Sequence, residues 1–267
     1  MITIKSRREF AKMQKAGAAV AAVHGEVREA ARPGTPLTDL EEISVRVIAA
    51  HGCTPSFLDY PGAYPYPATL CLSPNDVIVH GIPSARRLEE GDILSVDAGA
   101  IYEGFHSDAA FTMGIGEISP EAKHLIDATE EAMWAGIAQV RKGARVGDIG
   151  AAVAAVGDAH GYGVVREYVG HGIGRQMHEE PQVPNHGEPG KGVKLRTGMA
   201  LCVEPMFNMG SHETRVDPDQ WTVRTADGSF SAHWEHTVCL TPEGRLVFTA
   251  GDEPVPIESV VAGASGS

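Results

Sequence analysis

No stretch of this sequence is both long and apolar enough to cross a bilayer. The longest small-residue run, Ala16 to Val23, is too short to span and leads directly into charged residues. No apolar segment follows the early cations Lys5, Arg7 and Arg8, so no signal peptide is expected. Cysteine is scarce: Cys53, Cys71, Cys202 and Cys239 form no CxxC pair and no dense scaffold. That excludes a disulfide framework and points to reduced thiols in the cytoplasm, each packed as a small apolar residue. Positive charge is also short. With 22 Lys and Arg against 35 Asp and Glu, the formal net charge is −13, which argues against a general or sequence-specific nucleic-acid-binding surface. Part of that acidity suits a cation site. The remaining composition, 43% hydrophobic and 21% charged over 267 residues, is that of a folded chain with a substantial core.

Helix signals come early. Ser6 with Glu9 forms a capping box before apolar positions at helical spacing (Phe10, Met13, Gly17, Val20, Val27), and this helix ends before Pro33-Gly34. Thr38 with Glu41 opens a second in the same way, closed by Gly52. Ser119-Pro120 starts a third, running to Gly143, and a fourth runs from about Asp148 to Gly161. Apolar runs suited to strands cover Ile93 to Ala100, Phe105 to Met113, Met199 to Phe207 and Trp234 to Leu240. The small, polar tail from Val260 to Ser267 is expected to fray.

The sequence also repeats itself weakly. A shift of 109 positions sets Gly34 on Gly143, Asp39 on Asp148 and His51-Gly52 on His160-Gly161. A shift of 107 sets GDILSVD, ending at Asp97, on GMALCVE, ending at Glu204. His106-Ser107-Asp108 aligns with His233-Trp234-Glu235, and His80-Gly81-Ile82 with His171-Gly172-Ile173. Four matches in the same order imply two helix-helix-strand-strand halves, about 6–113 and 114–250, packed as one α+β domain over 1–267 around a pseudo-two-fold axis.

Those matches bring acids together. A hairpin turning around Tyr102-Glu103-Gly104 pairs residues whose numbers sum to about 205, so Asp97 and Asp108 are expected to face one another across two half-buried strands. Like charges there are destabilising unless a cation lies between them, and Glu204 and Glu235 echo the pair in the second half. Four carboxylates balance two divalent ions, which bridging carboxylates hold about 3.5–4 Å apart. Hard oxygens with His171 as nitrogen donor suit Mn, Fe(II), Co or Zn. Cys202 and Cys239 are expected to serve packing.

The strings HGIP (His80 to Pro83), DILSVDAGA with Asp97 and the downstream Asp108, GHGIGRQMHEEP (Gly170 to Pro181), Glu204-Pro205 and WEHT (Trp234 to Thr237) resemble type I methionine aminopeptidases from about Ser6 to Phe248. The resemblance implies the pita-bread fold, with its two pseudo-two-fold-related halves around an antiparallel sheet, and a hydrolase removing the initiator methionine; the alternatives are an Xaa-Pro peptidase of the same fold or a non-catalytic pita-bread protein that binds peptides. It implies a dinuclear centre in which Asp108 and Glu235 bridge, Asp97 holds one metal, and His171 and Glu204 hold the other. His80 and His178 then act on the substrate, and Glu204 shuttles a proton. Cys71, Met177, Trp221 and a tyrosine, Tyr66 among the candidates Tyr60, Tyr64 and Tyr66, build the methionine pocket. The segment Tyr60 to Thr69 is longer than the family's usual pattern. Met177 stands where the family commonly has Phe. The implied partners are methionyl N-termini of nascent chains and, transiently, the ribosome, met by a monomer. Two basic segments are candidates for that contact: Lys5, Arg7, Arg8, Lys12 and Lys15, or Lys191, Lys194 and Arg196.

Overall fold

Ser6 and Glu9 close the expected capping box, each reaching the other's backbone N–H, and α1 runs from there over Arg7–Ala30. In this computed structural model, which describes residues 2–251 and the backbone of 255–256, three further helices follow: α2 (Leu37–Ala50), α3 (Pro120–Ala138) and α4 (Val146–His160). The first strands are β1 (Thr54–Pro55), β2 (Leu70–Pro74), β3 (Val77–Val79), β4 (Ile93–Tyr102), β5 (Phe105–Gly114), β6 (Gly163–Val164), β7 (Gly170–Gly172) and β8 (Glu179–Val183). The rest are β9 (Ala200–Val203), β10 (Met206–Asn208), β11 (Thr214–Val216), β12 (Val223–Thr225), β13 (Ser231–His233), β14 (Glu235–Thr241), β15 (Gly244–Val247) and β16 (Val255–Pro256).

The large sheet is antiparallel in the order β1-β4-β5-β14-β9-β7-β8, with β2 added on β4 and β15 and β16 beyond β14. Helix α1 lies across β4 and β5, burying Met13, Val20 and Val27. At Gly17 an added Cβ would stand 2.1 Å from the Phe248 carbonyl oxygen, so only glycine allows the helix this close. Helices α3 and α4 pack on each other and on the second half's strands.

The backbone repeats itself at several of the positions that the shifted sequence aligns. Gly34 and Gly143, offset by 109, share φ values of 92° and 93°, and their N–H groups donate to Leu88 and Leu195, offset by 107. The single bridge Pro36–Arg87 recurs as Arg145–Lys194. Gly52 and Gly161 end α2 and α4 with left-handed φ of 66° and 74°. The same local hydrogen bonds and turns thus recur at these offset positions.

Several boundaries differ from expectation. Thr38 caps nothing: α2 begins at Leu37 after Pro36 with no side-chain cap, and Glu41 instead accepts from the N–H groups of Thr69 and Leu70, holding the start of β2. Helix α3 stops at Ala138, and α4 starts two residues early, with Asp148 accepting from Arg145 N. The run Met199 to Phe207 breaks at Glu204-Pro205 into β9 and β10, because proline donates no ladder bond. The β4–β5 register also differs: Glu103 and Gly104, with φ of 47° and 77°, make a two-residue turn, so Tyr102 pairs with Phe105. Asp97 therefore lies opposite Ala110 and Asp108 opposite Gly99. The two acids share a face as diagonal neighbours and do not oppose one another. The tail from Val260 lies outside the described residues.

Candidate metal centre

Four strands and the break after a fifth converge on one cavity. Asp97 comes from β4, Asp108 from β5, His171 from β7, Glu235 from β14, and Glu204 from the break after β9. The β9–β14 ladder ends with Val203 opposite His236, which brings the adjoining residues Glu204 and Glu235 to the same end of the pair. Thr237 fixes Asp108 from behind, its Oγ1 accepting from Asp108 N (2.9 Å) and donating to Asp108 O (2.8 Å). Asn185 Nδ2 donates to the Glu204 carbonyl at 3.0 Å, steadying the backbone where the ladder is interrupted.

Each carboxylate keeps one buried oxygen without a hydrogen-bond partner: Asp97 Oδ1, Asp108 Oδ1, Glu204 Oε2 and Glu235 Oε1. His171 Nε2 lies 3.4 Å from Glu204 Oε2, while its Nδ1 lies 2.9 Å from the Gly172 carbonyl, which leaves Nε2 as the nitrogen facing the acids. Ligand atoms of Asp108, His171, Cys202 and Glu235 all fall within 4.8 Å of one another. Cys202, expected to serve packing alone, thus borders the acids, with its sulfur 3.7 Å from Thr237 Oγ1; Cys239 remains in the core.

A model of metallopeptidase family M24 matches residues 11–242. The chain belongs to this family. Its relatives include the methionine aminopeptidase of Clostridium perfringens, 46% identical over 93% of this chain and 99% of that protein. Methionine aminopeptidase 1 of Mycobacterium tuberculosis is 47% identical, covering 92% of this chain and 94% of its own. The crystal structure of the Thermotoga maritima methionine aminopeptidase superposes with a TM-score of 0.90 at 42% identity, covering 93% and 99%. The prolidase of Pyrococcus furiosus, at 20% identity and TM-score 0.75, shares the fold, which is the pita-bread fold. An M24 chain is a hydrolase that uses divalent metal, and the unpartnered carboxylate oxygens here fit such an ion.

The electrostatics of this M24 centre agree with that fit. Burial first, and neighbouring carboxylates second, raise Asp108, Glu204 and Glu235 well above the ordinary range, and burial lifts Asp97 to about 7. Burial, then the nearby His178, lowers His171 to about 3. Acids that resist ionising together and a histidine held neutral are the state a cation reverses for the acids and uses in the imidazole.

With Tyr66 taken as the tyrosine of the pocket, the eleven residues assigned to metal, catalysis or substrate line this cavity: the five above with His80, His178, Tyr66, Cys71, Met177 and Trp221. His178 packs against His171 with the rings tilted, centroids 4.3 Å apart, and its Nδ1 lies 2.6 Å from the Tyr60 hydroxyl. His80, pushed down to about 4 by burial and then His178, lies edge-on to Tyr168 and Trp221. The Tyr66 hydroxyl shares its one proton between the carbonyls of Leu70 and Gly81, both 3.0 Å away, and the ring meets Trp221 edge-on. Tyr60 and Tyr66 line the cavity, whereas Tyr64 sits outside it, 38% exposed, against Trp221. Phe57, Val79, Tyr168, Val169, Met206 and His233 also line it. Only His233 carried a sequence signal, its alignment with His106; the others are ordinary apolar residues or loop tyrosines that nothing in the sequence distinguishes.

Proposed function

We propose that the chain removes the N-terminal methionine of nascent proteins at a dinuclear centre held by Asp97, Asp108, His171, Glu204 and Glu235. The observation that carries this reading is the juxtaposition of four buried, unpartnered carboxylate oxygens with an apolar pocket of Tyr66, Cys71, Met177 and Trp221. Asp108 and Glu235 would be shared between the ions, Asp97 would hold one of them, and His171 with Glu204 would hold the other. When bound, divalent ions (Mn, Fe(II), Co or Zn) supply Lewis acidity, lowering the pKa of water and polarising a carbonyl.

The protein's own groups do the rest. Tyr60, Tyr66 and Trp221 offer an aromatic wall to an unbranched thioether side chain. With Nδ1 engaged by Tyr60, His178 presents Nε2 to the scissile peptide, where it donates to oxygen as negative charge builds. His80, half-buried and held neutral by a lowered pKa of about 4, approaches the same peptide from the Trp221 side. Glu204 carries a proton to the departing amine.

Ribosome contact falls to the loop of Lys191, Lys194 and Arg196, all exposed. The Arg145–Lys194 bridge brings Arg141, Lys142 and Arg145 beside it, a basic face on an otherwise acidic protein. The first-helix cluster is less available, since Arg7 pairs with Glu243, Lys12 with Glu103 and Lys5 with Glu179. On this reading the chain works as a cytoplasmic monomer. The test is turnover of Met-Ala-Ser against Ala-Pro peptides by metal-free protein reconstituted ion by ion. Cleavage of the Ala-Pro peptide alone would refute methionine specificity.

A further inference from the structure

The carboxylate of Glu179 is the hub of a buried knot beside the site. Lys5 Nζ lies 2.8 Å from Glu179 Oε2, and the two side chains keep only 3% and 5% exposure. Thr3 Oγ1 donates to the same oxygen. The second oxygen, Oε1, accepts from the backbone N–H groups of Arg175 (2.9 Å) and Gln176 (3.3 Å). Glu179 thus closes the turn 174–179 on itself and fastens it to a residue 174 positions away in the chain. Met177 and His178 sit inside that turn.

The surroundings hold the knot rigidly. A Cβ on Gly174 would stand 2.5 Å from Lys5 Cε and 2.8 Å from Glu179 Oε1, so the lysine threads a gap that only glycine leaves open. The Gly174 carbonyl accepts from His106 N at 2.8 Å, tying the turn to β5, the strand that carries Asp108. Lys5 N donates to the Gly198 carbonyl at 2.7 Å, anchoring the lysine to the segment leading into β9. Glu9, in the first turn of α1, reaches Arg175 at 3.5 Å.

We propose that Lys5 is a positioning residue of this centre: its buried ammonium holds the Glu179 turn closed, and thereby keeps His178 aimed at the scissile peptide. The proposal rests on the aminopeptidase reading above. A buried ion pair adds little net stability, but removing one partner strands the other's charge, and the structure then opens to solvate it. Glu179 is the residue next to His178. Any movement that brings its carboxylate to water shifts the imidazole away from Tyr60 and His171.

The experiment compares Lys5→Met, Lys5→Arg and Glu179→Gln with wild type in the full metal-loaded chain, using Val20→Ala in the core of α1 as a control for lost stability. Lys5→Met is expected to lower kcat about tenfold or more with KM within about twofold, as misaimed catalytic groups do. Bound metal should be unchanged, and Lys5→Arg should recover part of the rate. Amide hydrogen exchange at Arg175 and Gln176, whose N–H groups donate to Glu179, should quicken in Lys5→Met and not in Val20→Ala. A Lys5→Met enzyme with wild-type kcat overturns the proposal, as does an equal kcat loss in Val20→Ala at matched Tm. If the wild type cleaves no methionyl peptide, the aminopeptidase reading fails by itself. The knot is still decided by exchange, because unchanged protection at Arg175 and Gln176 in Lys5→Met rules it out.

Discussion

The Tyr60 hydroxyl lies 2.6 Å from Nδ1 of His178, with the two rings edge-on at 5.3 Å. The contact joins the Pro- and Tyr-rich loop after α2 to the turn before β8, and it decides which imidazole nitrogen is free for the substrate. Tyr60→Phe keeps the ring and removes the hydroxyl, so kcat for a methionyl tripeptide should fall by roughly tenfold, less than the ~10²-fold of a direct proton-transfer group because Tyr60 acts through His178, with KM little changed. Steady-state kinetics of the pair decide it; a rise in KM alone would make Tyr60 a pocket wall and nothing more.

His178 itself is assigned to the substrate and not to the metal. His178→Ala should lower kcat by about 10²-fold or more, the scale of a lost oxyanion or proton-transfer contact. Metal analysis of the same sample checks the assignment, since loss of bound ion would place His178 in the ligand set.

Asp108 and Glu235 are expected to bridge, so Asp108→Ala and Glu235→Ala should abolish turnover and reduce bound metal. A subtler variant separates binding from folding. Burial and the neighbouring Glu235 and Asp97 raise the Asp108 carboxyl well above its usual range, so the metal-free protein carries this acid at a cost. Asp108→Asn should raise the Tm of metal-free protein, by roughly 2–4 °C per kcal/mol relieved, while erasing the Tm gain on adding metal. Differential scanning calorimetry with and without ion reads both.

His24 lies buried on α1 against Phe111, ring centroids 4.7 Å apart, and burial, then Arg28 and His236, holds it well below 6.5. Its folded state stays neutral while the unfolded chain takes up a proton near 6.5. The associated stability is therefore complete above that pH and declines as pH falls below it. Replacing it by His24→Leu should flatten the stability–pH curve there by up to about 1.4 kcal/mol per pH unit, one proton's worth. Urea titrations at several pH values measure the slope, and an unaltered slope would mean that His24 is protonated in the folded protein.

Reversal of Lys191, Lys194 and Arg196 to Glu should reduce ribosome co-sedimentation, and wild-type binding should weaken steeply with salt. Cleavage of a free tripeptide should not change. Undiminished co-sedimentation would move the contact elsewhere on the surface.

Much of the centre was legible because duplication repeats its chemistry. Asp97 against Glu204, and Asp108 against Glu235, stand out once the halves are aligned, and the glycines at 34, 52, 143 and 161 recur because each occupies a left-handed position. Register was not legible: whether the β4–β5 hairpin turns on two residues or three depends on the backbone angles of Glu103 and Gly104, and the difference moves Asp108 from opposite Asp97 to opposite Gly99. Glu41 misled for a related reason. Its position three residues after Thr38 matches a capping box, but the carboxylate finds two N–H donors in β2 that no local pattern reveals.

By itself the sequence determined the ingredients and their order: which acids and imidazoles exist, how they repeat, and that the repeats must pack as helices on an antiparallel sheet, since these follow from local propensity and periodicity. Only the tertiary structure decided how they are used. Lys5 reads as one more cation at the start of a helix, yet it is buried against Glu179 across 174 positions of chain. Tyr60 and Tyr66 line the cavity while Tyr64, between them, does not. Burial and long-range pairing depend on what the rest of the chain brings alongside, and a residue's neighbours in sequence do not contain that information.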